Sequence, residues 1–550
     1  MLRYAILILL SIILLTNTQC KGKFSNKIKG NVQDSAIYSK IDYSQLVFDS
    51  SSINLYLNND STLNDFRNDI MSFYQRRNYQ SAWFEGDKLT EHATIFISRL
   101  HEYREIFCDQ ALFKSVVCSI EDSVMKNPFF LRGSLELKTK LDFTLTASFF
   151  KYADKEYYGI NKSPRDLEWY IPRKKKDYLL LLDALTKAGK DYEQYEPVNK
   201  YYRNLKNSLK DYLQIQNQGG LPIIDEDIKL VIGQTSTQVV ALKNYFIKTK
   251  DYKENDSVLV CNDILINAVE KFQSRVGLPV NGKLDKSTIS ALNVPISKRI
   301  KTIMINMERL RWIPSEIPNE YFLINIPEFK LHIYDSSKLQ WSMRVVVGKQ
   351  ATNTAIFSDD LSYVVFSPYW NVPHSIVQKE ILPKLKSNPD YLKWNNMEVF
   401  SGNMILNEYE INWKNFSNKV PYSIREKPGI KNSLGMVKFL FPNHFSIYMH
   451  DSPAKSLFEN NNRAYSHGCV RLAEPVKLAN YIFRKDTTIN ADSIDRWMAA
   501  GKEKYVSVKP RVPVFIVYFT SWVDKDGRLN FRPDIYGKDE KLAQNIFGTK

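Results

Sequence analysis

The sequence predicts a multidomain α+β protein: an all-helical scaffold, a small three-helix module, and a C-terminal β-rich domain interrupted by a helical lid insertion. Three observations predict it. The chain has 550 residues, too many for one ordinary core, and its 44% apolar and 25% charged residues are those of folded protein. Apolar residues recur at spacings of three and four from Leu63 to about residue 215 and again between Val239 and Leu292. From Phe329 onward the pattern changes to strict alternation, the period of a strand with one face buried.

The N-terminal segment reads as a targeting signal. After Arg3, the apolar run Tyr4 to Leu15 is too short to span a bilayer in a relaxed helix but fits the hydrophobic region of a secretory signal, so residues 1–20 are expected to direct export. Thr16-Asn17-Thr18-Gln19-Cys20 ends in a cysteine placed like the modified residue of bacterial lipoproteins, with Gln19 where a small residue is usual. Lipid attachment at Cys20, an uncleaved anchor and plain secretion therefore all stay open. Export places the protein in the periplasm or cell envelope and removes nucleic acid as a partner. The net charge of +16 then suits an anionic wall polymer or membrane surface, although lysines also solvate ordinary helices.

Residues 21–55 are mostly polar, with Ser50, Ser51 and Ser52 at their end, and are expected to form a tether. Residues 56–220 form the helical scaffold: Leu63, Phe66, Ile70, Phe73 and Tyr74 share one face, and Leu141–Tyr152, Leu179–Leu185 and Tyr201–Leu213 repeat the pattern. Residues 225–296 form the small module, with helices at Val239–Phe246 and Asn262–Phe272. The turn Gly277-Leu278-Pro279-Val280-Asn281-Gly282 follows, and a third short helix ends near Leu292. A linking helix occupies residues 297–317 and the β-rich domain residues 318–537, leaving a tail at 538–550.

Within the β-rich domain, strands are expected at Phe329–Tyr334, Trp341–Val347, Tyr363–Phe366, Phe445–Met449 and Val514–Val523. The last pairs with Leu529–Phe531 through a turn at Asp526-Gly527. Residues 371–428 break this pattern, with Ile376–Leu385 the clearest helix, and an insertion of that length reads as a lid or binding flap. The four cysteines besides Cys20 do not make a disulfide framework; a Cys108–Cys118 bridge stays open and Cys261 reads as a buried small residue.

The strongest chemical signal is Tyr465-Ser466-His467-Gly468-Cys469-Val470-Arg471. Glycine before a nucleophile allows close backbone approach to a substrate, and consecutive N–H groups around Gly468 and Cys469 are expected to face the oxygen that gains charge in acyl transfer. A thiol needs a base because only the thiolate attacks efficiently. Alternation from Phe445 to His450 puts Tyr448 and His450 on one face, so His450 emerges at a strand end beside a tyrosine, a place that suits a general base.

His450, fifteen intervening residues, then Ser466-His467-Gly468-Cys469 with Arg471 two further on, resembles the signature of L,D-transpeptidases, the family with the YkuD-type catalytic domain. The likeness extends to Ser367-Pro368-Tyr369-Trp370-Asn371-Val372-Pro373, Arg425-Glu426-Lys427-Pro428-Gly429, Asn432-Ser433-Leu434-Gly435 and His450-Asp451-Ser452-Pro453, all of which look like the long multidomain members. Asp451 replaces the glycine that many relatives carry after the histidine, as it does in those long members. The segment Val269–Gln273 with its turn resembles the small peptidoglycan-binding domain of wall enzymes.

The resemblance implies a cysteine-nucleophile acyltransferase that needs no cofactor or metal. Cys469 would attack the bond between the L-centre of diaminopimelate and D-alanine in a tetrapeptide stem. His450 would take the thiol proton, D-alanine would leave, and the thioester would pass to a neighbouring stem in a 3→3 cross-link. Ser466, His467 and Gly468 would support the nucleophile; Arg471 would pair with a substrate carboxylate or serve as a structural ion pair; Tyr448, Tyr369 and Trp370 would line the donor groove or pack a core. Carbapenems, which resemble the stem, are the expected inhibitors, and the membrane is reached only through the signal or a lipid anchor.

Three rivals remain at this stage. A zinc hydrolase would use His374, His444, His450, His467 and Cys469, whose spacings match no short zinc pattern. An L,D-carboxypeptidase or endopeptidase would give the same thioester to water. A non-catalytic wall-binding scaffold would need only the helical parts.

Overall fold

Asp49 starts the described fold by capping helix α1 (Ser50–Asn58), whose Ile53 and Leu57 are buried; the Ser51 N–H donates to its carboxylate at 3.3 Å. The three serines expected in a tether are thus the first turn of a helix, because a capping aspartate and two core residues one turn apart outweigh their polarity. The computed structural model describes residues 44–107, 133–173, 176–188, 194–252, 260–417 and 419–548. The expectations for the signal at 1–20, for Cys20 and for the Cys108–Cys118 pair lie outside them. Among the described residues, no helix is long and apolar enough to cross a membrane.

The chain divides into two compact units, Met1–Ile95 with Ser115–Ser148, and Phe96–Lys114 with Phe149–Lys550. In the first, helix α2 (Arg67–Arg76) is followed by a small hairpin of β1 (Phe84–Glu85) and β2 (Lys88–Leu89), which helical periodicity did not announce. Helix α3 (Glu91–Phe107) belongs mainly to the second unit, and α4 (Leu135–Ala153) mainly to the first. Its core holds a fully buried carboxylate. Asp142 accepts from the Tyr74 hydroxyl at 2.6 Å and from the Ala82 and Trp83 N–H groups, each at 3.1 Å. Burial raises the Asp142 carboxyl above its usual range even though these donors oppose the rise.

The second unit begins with helices α5 (Tyr178–Ala188) and α6 (Lys200–Asn217). The small module follows as α7 (Thr237–Lys248), α8 (Asp263–Val276) and α9 (Lys286–Leu292), closed around Leu242, Phe246, Leu265, Phe272 and Leu292. One buried amide organises its turn. The Gln273 side chain donates to Asn281 Oδ1 at 2.9 Å and to the Lys283 carbonyl at 2.8 Å, while its own oxygen accepts from the Asn281 and Gly282 N–H groups, both at 3.0 Å. Helix α10 (Ile296–Arg311) links this module to the sheet and joins it to the scaffold through Glu308, which binds Arg311 at 2.7 Å, Trp312 Nε1 at 3.0 Å and the Ile160 N–H at 3.1 Å. Gly159 allows that approach, since a β-carbon there would meet Glu308 at 2.3 Å.

The β-rich region starts with β3 (Tyr321–Asn325), β4 (Lys330–Asp335), β5 (Lys338–Gly348) and β6 (Phe357–Phe366). Next come β7 (Trp370–Asn371), β8 (Met397–Ser401), β9 (Met404–Leu406) and β10 (Ser423–Glu426), then β11 (Val437–Leu440) and β12 (Met449–His450). The series ends with β13 (Ala464–Ser466), β14 (Val470–Leu472), β15 (Lys504–Val517), β16 (Ser521–Val523) and β17 (Leu529–Phe531). Nine strands pair in the order β13-β5-β14-β12-β11-β6-β15-β3-β4, and an additional β4–β5 pairing brings the ends of the sheet together. Strands β16 and β17 form the expected hairpin, Val523 facing Leu529.

Two expectations change in detail. Only Met449 and His450 of the predicted strand from Phe445 are extended; Asn443 Oδ1 accepts from the Phe445 and Ile447 N–H groups at 3.0 and 3.1 Å and curls the chain into a loop in which Ser446 has a φ of +55°. The expected tail is a helix, Lys538–Phe547, whose Asp539 meets Arg309 at 2.6 Å and the Thr520 hydroxyl at 2.8 Å.

The insertion carries the expected helical turns, His374–Ile376, Val377–Ile381 and Leu382–Ser387, and also a four-stranded sheet in the order β7-β10-β8-β9. It has its own apolar core, with Ile381, Leu385, Leu392, Val399 and Ile424 among its buried residues. Short strands two to five residues long, several polar on one face, gave too little alternation for the sheet to be read from the sequence.

Candidate active site

Strands β12 and β14 run side by side in parallel, Met449 beside Val470 and His450 beside Arg471, and the Val470 N–H donates to the Tyr448 carbonyl at 3.1 Å. Alternation along both segments turns Tyr448 and His450, and Cys469 and Arg471, toward a common side. Four of the predicted site residues are therefore brought together by one register.

The Cys469 thiol is half-buried and reachable. It donates weakly to the Ser446 carbonyl at 3.8 Å and lies beside Tyr448. Burial raises its pKa above the ordinary thiol value, while Tyr448 and the Arg471 charge pull it back. The direction of that shift favours the neutral thiol. Burial, then the thiol, drives the Tyr448 phenol far above its usual range, and the nearby Trp370 indole opposes the rise.

His450 is only 4% exposed. Burial, then the Arg471 charge, pushes the imidazole down to about 4, against the opposing pull of the Asp451 and Leu434 carbonyls. Its Nδ1–H donates to the Asp451 carbonyl, a bond that fixes the tautomer and leaves the lone pair on Nε2. None of the thiol's hydrogen bonds among the described residues goes to this imidazole. Asp451 braces the loop: its carboxylate accepts from the Ser452 N–H at 2.7 Å and the Met436 N–H at 3.0 Å and pairs with Lys455 at 2.6 Å.

Arg471 has a buried Nε with no hydrogen-bond partner, and no carboxylate pairs with it among the described residues. Burial lowers its pKa and the nearby thiol raises it. The guanidinium therefore stands beside the thiol without the structural ion pair that was one of its two expected roles.

The loop before Cys469 is held by the expected Ser466 and by threonines and a tyrosine that sequence reading missed. The Ser466 hydroxyl donates to the Cys469 carbonyl at 2.6 Å and accepts the Gly468 N–H at 3.1 Å. Gly468 has a φ of +119°, which favours glycine, and its N–H is already engaged, so it is not one of a free pair facing the substrate oxygen as expected. Thr354 donates to the Gly468 carbonyl at 2.8 Å and Thr352 to the Ser466 carbonyl at 3.1 Å, while Tyr536 anchors the same corner through the Gly348 carbonyl at 2.5 Å. Thr352 and Thr354 share one distant segment and Tyr536 comes from another, and no local motif marks them.

His467 does not touch the thiol's hydrogen-bond set. Its Nε2 lies 3.2 Å from Glu380 Oε1 of the insertion, both side chains about half exposed, at 43% and 51%. Of the two predicted groove aromatics near the insertion, Trp370 lies on the side of the Tyr448 phenol, whereas Tyr369 packs under the Arg425 guanidinium, 4.2 Å from its ring centroid.

Comparison with known proteins agrees with this geometry. Residues 319–490 match the L,D-transpeptidase catalytic domain of the YkuD type, residues 68–209 a scaffold domain, and residues 235–292 a peptidoglycan binding domain. A Haemophilus influenzae protein described as "Putative L,D-transpeptidase" is 32% identical over 354 residues, 61% of this chain and 70% of that protein. The chain belongs to the L,D-transpeptidase family. Solved L,D-transpeptidases also match: one from Stackebrandtia nassauensis is 12% identical, covering 54% of this chain and 96% of its own at a TM-score of 0.21. One from Mycobacterium smegmatis is 12% identical, covering 36% of this chain and 58% of its own at a TM-score of 0.19.

Proposed function

We propose that this L,D-transpeptidase forms 3→3 peptidoglycan cross-links through an acyl-thioester on Cys469. The observation that carries the reading is the reachable thiol flanked by a neutral buried imidazole and an unpaired guanidinium on neighbouring strands.

In the first half-reaction, Sγ adds to the carbonyl joining the diaminopimelate L-centre to D-alanine, and the thiol proton passes to His450 Nε2. The imidazole and thiol meet when the donor fills the site, since catalytic hydrogen bonds commonly tighten only in the reacting complex. Collapse of the adduct breaks the C–N bond, and His450 returns the proton to the departing D-alanine amine. In the second half-reaction an acceptor amine adds to the thioester, loses its proton to His450, and releases the thiol with an amide bond formed. Arg471 binds a stem carboxylate, and Tyr448 holds the sulfur while it carries charge. Trp370 lines the donor groove, and Ser466 and Gly468 shape the loop under the nucleophile.

Export through residues 1–20 to the cell envelope, with or without a lipid on Cys20, accompanies this reading, as does acylation of Cys469 by carbapenems. The domain limits proposed are 56–220, 225–296 and 318–537, with the insertion at 371–428. Mass spectrometry of muropeptides incubated with the purified chain tests the transfer. Cross-linked dimers and free D-alanine are expected, absent with Cys469→Ala; trimmed stems without dimers would make the enzyme a hydrolase of wall peptides instead.

A further inference from the structure

Four backbone polar groups belong to the two peptides that flank Cys469, and three of them are occupied. The Gly468 carbonyl accepts from the Thr354 hydroxyl at 2.8 Å, the Cys469 carbonyl accepts from the Ser466 hydroxyl at 2.6 Å, and the Val470 N–H donates to the Tyr448 carbonyl at 3.1 Å. The fourth is the Cys469 N–H, which makes no hydrogen bond among the described residues.

Thr354 decides where that N–H points. It is fully buried, and the Gly348 N–H donates to its hydroxyl oxygen at 2.9 Å. A backbone amide can only donate, so the hydroxyl accepts there and its single proton is left for the Gly468 carbonyl. The Gly468–Cys469 peptide is trans, and in a planar trans peptide the N–H lies antiparallel to the carbonyl. Tying the Gly468 carbonyl to Thr354 therefore turns the Cys469 N–H away from that buried side. Thr354 is itself held: its N–H donates to the Tyr536 hydroxyl at 3.4 Å, and that hydroxyl donates to the Gly348 carbonyl at 2.5 Å. Gly348 has to be glycine, since a β-carbon there would collide with the Thr352 carbonyl.

The free donor sits where acyl transfer needs one. The amide nitrogen and Sγ belong to the same residue, separated only by Cα and Cβ, so a carbonyl carbon joined to the sulfur can set its oxygen against this N–H. When Sγ adds, the C–S bond forms and the π electron pair moves onto that oxygen; when the adduct collapses, the pair returns and the C–N bond breaks. A donor fixed in advance stabilises the oxygen between those two events without reorganisation. The neighbouring Gly468 N–H is spent on the Ser466 hydroxyl at 3.1 Å, so the burden falls on the Cys469 N–H and on whatever aims it.

We propose that Thr354 is a positioning residue: by holding the Gly468 carbonyl it aims the Cys469 N–H at the oxygen that becomes negative as the thioester forms. The proposal rests on the thioester reading above. Two reagents for the same sulfur test it on the full chain. Imipenem, a carbapenem, is attacked at a carbonyl and creates such an oxygen, whereas iodoacetamide loses iodide from a saturated carbon and creates none. Thr354→Val keeps the shape and removes the hydroxyl; it is expected to slow imipenem acylation roughly 10- to 100-fold while alkylation stays within about two-fold of the parent. Thr354→Ser, which restores the hydroxyl, is expected to recover most of the lost rate. Tyr536→Phe removes the hydroxyl behind Thr354 and is expected to lower acylation against alkylation by a smaller factor, which carries the test should Thr354→Val not fold. Acylation of the valine variant at the parent rate, an equal loss in both reactions, no recovery with serine, or an unmoved ratio in Tyr536→Phe overturns the proposal. A parent that is alkylated but never acylated defeats the thioester reading instead.

Discussion

The Val470 N–H donates to the Tyr448 carbonyl at 3.1 Å, and that register sets the Tyr448 phenol beside the Cys469 thiol, close enough to pull the thiol's pKa down. A phenol placed there stabilises sulfur more as thiolate than as thiol. Tyr448→Phe is therefore expected to shift the pH profile of iodoacetamide alkylation upward and to slow it at neutral pH by roughly ten-fold, the worth of a hydrogen bond to a charged group. Rates measured from pH 6 to about 10 check this, and an unmoved profile would remove Tyr448 from the nucleophile's support.

His450 makes stability depend on acid. Its imidazole, held near 4 in the fold and close to the ordinary value of about 6.5 when unfolded, leaves the unfolded chain holding more protons between those limits. Stability is complete above pH 6.5 and is lost as the pH falls through 4, by roughly 3 kcal/mol in all. Urea unfolding at pH 7.5 and pH 5 is expected to show part of that loss, and His450→Gln to show less of it.

Gly435 sits against Asp451 with a φ of +63°, and a β-carbon there would fall 2.3 Å from Oδ2. Because that carboxylate braces the residue after His450, Gly435→Ala is expected to destabilise the fold by about 2 kcal/mol or more and to reduce acylation. A thermal midpoint equal to that of the parent would show that the loop absorbs the extra methyl.

The Glu380–His467 pair is half exposed, so Glu380→Gln is expected to change stability by less than about 1 kcal/mol. If the contact helps the insertion cover the nucleophile, a small alkylating agent will react at the parent rate while a stem-sized donor shows a raised KM. Equal KM values for parent and variant would make the pair incidental.

Much of this architecture was legible because local chemistry and tertiary packing agree. Alternation at Phe329–Tyr334 located β4 to within one residue, and the Gln273 turn was visible as a glycine-bounded hexapeptide. Legibility failed where a side chain or a distant segment decided the backbone. Apolar alternation from Phe445 to Met449 resembles a strand, but Asn443 ties the first part into a loop, so the thiol meets the Ser446 carbonyl there. Thr352, Thr354 and Tyr536 lie more than a hundred or about seventy residues from Cys469 in the chain, and only folding places them under it. The contact from Glu380 to His467 was equally silent, since neither residue belongs to a pattern that names the other.

The insertion enters and leaves the main sheet through neighbouring strands, with Trp370 of β7 paired to Glu426 of β10, and its apolar core is its own. A double-stranded stalk of this kind makes the appendage separable, so a foreign segment grafted between those two strands is expected to leave the sheet around Cys469 folded.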